Sequence, residues 1–197
     1  MPLVNSQQLL QQLKDQVEEV RLKAVSRFNG KSDQVLLQSP EPGRWSAIQC
    51  LEHLNTFGTY YLPTLGHAIE QAVIKGSRHN PTFRSGMLGG WFTRLMAPAS
   101  NGFPASKMQA PKAHRPASQL DINKVLEEFI RQQEEMESLL VAASRIDLEK
   151  VKVPITLSKW IRISVGDTFG FLIAHIRRHI LQAERAIAVV ETAHVTT

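Results

Sequence analysis

The sequence predicts an all-α protein, a four-helix bundle with a long irregular connection between its second and third helices. Three observations predict it. Apolar residues recur at three- and four-residue intervals in four long segments, strand-like alternation is weak throughout, and the stretch 77–117 is rich in Gly and Pro. At 197 residues, 43% hydrophobic and 21% charged, the chain is sized for one domain, 1–197, with a substantial core.

The first helix runs from Ser6 to Phe28, with Leu10, Leu13, Val17, Val20 and Ala24 on one stripe, and Asn29-Gly30 stops it. A polar loop carrying Pro40 and Pro42 follows. Ser46 opens the second helix, and Gln49 completes a capping box with it. Leu51, Leu54, Gly58, Tyr61, Leu65 and Ile69 are its buried face, Pro63 bends it, and it ends near Lys75-Gly76. Within the irregular stretch, Met87, Leu88, Trp91, Phe92, Leu95 and Met96 form an apolar cluster at helical spacing. Burial in the core or a dimer interface is the plain reading, with a lid or a membrane-surface patch as the others.

A third helix spans about 118–143, and Gln133 is the only polar member of its stripe of Ile122, Leu126, Phe129, Met136 and Leu140. Residues 151–155 read as extended. Ser164 caps the last helix, and Asp167 complements the dipole in its first turn. This helix continues to about Val190 with Val165, Phe169, Leu172, Ile176, His179, Ala183 and Val190 on one side.

Composition excludes several classes. The net charge of +5 is scattered, with Arg177-Arg178 as its densest pair, so no nucleic-acid partner is expected. No apolar run is long enough for a membrane span, and none resembles a signal peptide, so no membrane partner is expected and the location reads as cytoplasmic. One cysteine, Cys50, rules out an internal disulfide and fits a reducing compartment.

The chemistry lies in the histidines. His175 and His179 stand one helical turn apart, on one face, where two imidazoles can clasp one ion. His179 also holds a stripe position that otherwise takes Leu, Ile or Ala, and a buried imidazole needs partners for its nitrogens. His53, on the helix face of Cys50, Phe57 and Tyr60, can supply a third ligand from a packed neighbour. Three neutral imidazoles suit zinc, nickel, copper or iron and leave coordination positions open. Spacing alone leaves this balanced against buried structural or surface histidines. His79 and His114 lie in the long connection and His194 in the tail, places that offer no rigid ligand.

No glutamate follows His175, where Ile176 stands, so His-Glu-x-x-His protease chemistry is disfavoured. Glu52 points to another face than His53. Gln133, Gln182, Thr168, Tyr60 and Tyr61 are candidates for supporting or substrate-facing groups, with structural hydrogen bonds as the commoner role. Cys50 reads as inert core, and Trp45 as a hydrophobic staple ahead of the second helix. No residue is assigned a catalytic role on this basis.

The run Pro42-Gly43-Arg44-Trp45-Ser46, followed six residues later by His53-Leu54, resembles the Trp-Ser-x-x-x-x-x-x-His-Leu signature of the DinB-like superfamily, the DNA-damage-inducible and YfiT-type metalloproteins. The stretch from Ser164 through His175, His179 and Gln182 resembles that family's closing helix, and the Pro-bounded 111–116 resembles the segment before its third helix. The apolar insert around Met87 is longer than the family pattern. The resemblance implies a four-helix bundle of DinB/YfiT type, a divalent ion on His53, His175 and His179, and a homodimer. Zinc or nickel leads as the ion, with iron or manganese next. It further implies a thiol-dependent transferase using a small-molecule thiol, or a hydrolase; the alternative is a non-catalytic, metal-stabilised dimeric binding or stress-response protein.

Overall fold

Four amphipathic helices carry the architecture, and they are the four that the periodicity predicts: α1 (Ser6–Phe28), α3 (Ala47–Ile74), α5 (Ile122–Ala143) and α6 (Val165–Val195). The computed structural model describes residues 2–98, 109–156 and 158–195. Helix α1 packs on α5 and α6, and α3 packs on the same two, so α1 lies diagonally across from α3 and α5 across from α6. The stripes read from the sequence form the core: Val17, Leu51, Leu65, Phe129, Phe169 and Ala183 are all fully buried in one apolar cluster. No helix among the described residues is long and apolar enough to cross a membrane.

Helix starts follow their caps. Ser46 Oγ accepts from Gln49 N at 3.3 Å while Gln49 Oε1 accepts from Ser46 N at 3.0 Å, the capping box expected at the head of α3. Helix α3 runs on through Pro63 to Ile74. Helix α5 begins four residues later than predicted, because Asp121 caps it by accepting from Lys124 N at 3.2 Å. Ser164 caps α6 as expected, accepting from Asp167 N at 3.0 Å, and α6 extends past Val190 to Val195.

The connections hold more structure than predicted. A short helix α2 (Asp33–Leu37), capped by Ser32, fills the polar loop. Strands β1 (Leu3–Asn5) and β2 (Thr82–Arg84) pair antiparallel, and β3 (Lys152–Ile155), in the stretch read as extended, pairs with β4 (Ser158–Ser164). The second hairpin hands the chain to α6: Val165 N donates to Val151 O at 2.9 Å and Gly166 N to Leu148 O at 3.1 Å.

The apolar insert is helix α4 (Met87–Met96), laid against α6. Its buried face differs from the predicted one. Gly89 and Gly90 are buried and Phe92 and Met96 touch the core, whereas Met87 is 91% exposed and Trp91 49%. Close approach explains the turn of the helix: a Cβ on Gly89 would collide with the Asp167 side chain.

Candidate metal centre

Helix α3 brings His53, and α6 brings His175 and His179, to one buried point where α3 and α6 pack. One ligand atom from each imidazole can be chosen so that all three lie within 4.8 Å of one another. The rings meet nearly edge to face, with centroids 4.6–5.0 Å apart and interplanar angles of 69–88°. Among the described residues this is the one group of three His, Cys, Asp or Glu side chains close enough to hold an ion together.

The individual atoms fit such a role. His53 Nδ1 donates to the His114 carbonyl at 2.6 Å, which fixes its tautomer and leaves Nε2 as a lone pair. That Nε2 faces His175 Nε2 at 3.2 Å. Two imidazole nitrogens sharing a tetrahedral zinc at about 2.0–2.1 Å stand about 3.3 Å apart. His175 Nδ1 and His179 Nδ1 are buried without a hydrogen-bond partner, a costly arrangement for groups without a further role.

Burial also sets the charge state. It lowers the pKa of His53 to about 4, that of His179 to about 3, and that of His175 well below its ordinary value. The positive charge of buried Arg178, adjacent in sequence to His179, pushes all three in the same direction. The imidazoles are therefore neutral at pH 7, the form that coordinates an ion. Arg178 itself is anchored by donating from Nη1 to Leu95 O at 3.1 Å, at the C-terminal end of α4.

Two surrounding residues change from their expected roles. Trp45, read as a staple, is half-buried with its ring 4.8 Å from that of His53 and 5.9 Å from that of His179, and so walls one side of the triad. His114 is not a ligand in this geometry, yet it orients one through its backbone. Its own Nδ1 pairs with Thr56 Oγ1 at 3.1 Å, and its ring lies 4.1 Å from that of Phe57, which in turn packs against His53 and His175. The His114 contact has no local signal in sequence, since it joins a loop to a helix 61 residues away.

Of the other candidates, Gln182 hydrogen-bonds His179 through its side chain and opposes the downward shift there. Gln133 is buried and contributes to a small cavity that His175 also lines. Thr168 donates to Ser164 O at 2.8 Å, and the Tyr61 hydroxyl accepts from Thr156 N at 3.1 Å, both structural bonds. Tyr60 is half-buried and stacks edge-on against Tyr61. Cys50 is fully buried and its thiol is pushed far up by desolvation, which keeps it protonated and inert. Glu52 is no member of the cluster.

No curated protein and no solved structure matches the chain. The family model described as the DinB superfamily matches residues 16–183, a span that contains every residue of the triad and all four bundle helices in part or whole. Together with the helical fold, this match establishes that the chain belongs to the DinB superfamily.

Proposed function

We propose that the protein is a metal-dependent enzyme that uses a divalent transition ion, zinc or nickel first, on His53, His175 and His179, and that it acts as a thiol-dependent transferase or a hydrolase. The observation that carries this reading is the convergence of three neutral imidazoles, with His53 already oriented by the His114 carbonyl. Three protein ligands leave room for a further one, and an ion held there lowers the pKa of a bound water or thiol.

The chain's own residues favour the thiol. Neutral imidazoles add no negative charge, and Arg178 adds a positive one, so the site attracts an anionic ligand such as a small-molecule thiolate. Trp45 and Phe57 flank the rings with apolar surface, which limits water and strengthens that attraction. With no carboxylate in the cluster, a proton released from the nucleophile has to leave through the ligand itself or through solvent.

Metal analysis of tag-free protein is the direct test. One equivalent of ion in the wild type, lost in His53→Ala, His175→Ala and His179→Ala, is the expected result. Stoichiometric metal that survives all three substitutions refutes the assignment.

The burial of all three imidazoles favours a second reading, in which the ion only ties α3 to α6. That reading predicts a large loss of melting temperature on chelation and no turnover of any thiol or ester. In either case we propose a homodimer formed through the exposed apolar face of α4 and the adjoining β4.

A further inference from the structure

Between α3, α5 and α6 lies a cavity of about 10 Å³, room for a single water. Its walls are largely apolar, among them Leu54, Leu62, Met136 and Leu172; of the polar residues that line it, Gln132 is hydrogen-bonded to Asn55 O and Glu128 Oε1, which leaves Gln133 and His175. Each carries a buried polar atom without a partner, Gln133 Oε1 and His175 Nδ1. Among the described residues, no other atom of that kind belongs to a residue lining the cavity.

The orientation of the Gln133 amide is settled by its other end. Nε2 donates to Phe129 O at 3.1 Å, and exchanging the amide atoms would put two acceptors against each other. Gln133 Oε1 is therefore an acceptor with no donor, on the buried face of α5 beside Phe129 and Met136. His175 Nδ1 shares that need in the ion-free site, since its Nε2 donates to the lone pair on His53 Nε2.

We infer that one buried water bridges Gln133 Oε1 and His175 Nδ1, which makes Gln133 the positioning residue for His175. Water suits both states of the site. It donates one proton to Gln133 Oε1 in each, accepts from Nδ1–H when Nε2 holds an ion, and donates its second proton to Nδ1 when Nε2 carries the ring proton. The bridge thus holds the ring in place whether or not the ion is bound. It rests on the reading of His175 as an ion ligand, and it extends the orienting shell from His53, held by His114 O, to a second imidazole.

Zinc affinity by chelator competition tests it on the full chain. Gln133→Met, similar in volume but without the acceptor, is expected to weaken zinc about 10- to 100-fold, the usual cost of losing an outer-shell partner. Gln133→Glu, which in its protonated form keeps a donor toward Phe129 and an acceptor toward the cavity, is expected to stay near wild type. Wild-type affinity in Gln133→Met, or equal loss in both variants, overturns the inference. A second measurement covers a variant that fails to fold. In the wild-type protein, with or without zinc, a long-lived water should show a magnetisation-transfer cross peak to the His175 ring, and a folded protein without it overturns the bridge. A wild type that shows the water but binds no zinc would instead refute the metal reading alone.

Discussion

His53, His175 and His179 are buried bases that the fold keeps uncharged, and this ties stability to pH. An unfolded chain protonates each near 6.5, whereas the folded chain resists down to about 4 at His53 and about 3 at His179, with His175 shifted the same way by desolvation. Between those values the unfolded state binds more protons, so stability rises with pH and is lost as pH falls below 6.5. For the metal-free protein we expect a slope of about 1.4 kcal/mol per pH unit per histidine at its steepest. Urea unfolding at pH 7, 6 and 5 measures it, and His179→Gln should flatten the profile; a flat wild-type profile contradicts the burial. At this scale, the pairing of His175 with His179 was legible because helical spacing and a polar residue on an apolar stripe are local signals. The His114 carbonyl was not legible, because its contact depends on how a loop returns to α3, and the contact of Trp45 with His179 depends on how α6 packs beside the head of α3.

Asp167 shows how an element-level role can hide behind a correct local one. Its place in the first turn of α6 is a dipole and capping role, visible from Ser164 three residues earlier. The structure adds a tertiary role, since Asp167 Oδ1 accepts from Ser85 Oγ at 2.5 Å and Oδ2 from Gly86 N at 3.1 Å, holding the head of α4 against α6. The sequence also left β1 and β2 unread: they are three residues each and pair across nearly the whole of α1 and α3, so neither carries a period of its own. Asp167→Ala removes a charged acceptor from three donors, Ser85, Gly86 and Ser164, and should cost about 2–4 kcal/mol. Hydrogen exchange is the readout. Amides of α4 should lose protection ahead of the bundle, and uniform loss across α3 and α5 would show that Asp167 serves global stability instead.

At the scale of the whole molecule, the bundle was legible because four stripes of ordinary length specify four mutually buried faces, and the core is built from those positions. What the stripes do not specify is the surface. Trp160 on β4 is 95% exposed and Met87 on α4 is 91% exposed, and the two elements touch, so they present apolar area that the described residues leave uncovered. Patches of this kind mark interaction surfaces, and a second copy of the chain is the occupant proposed above. Trp160→Asp combined with Trp91→Asp places charge on that face while touching no core position. We expect the wild type to run as a dimer and the double variant as a monomer in size-exclusion chromatography with light scattering at micromolar concentration. Because both side chains are exposed in one copy, the monomer should keep its fold, each substitution shifting its intrinsic stability by roughly 0.5 kcal/mol or less. Zinc content should also survive, since the triad draws its ligands from one chain. A monomeric wild type refutes the dimer, a variant that stays dimeric moves the interface elsewhere, and neither outcome bears on the proposed metal site.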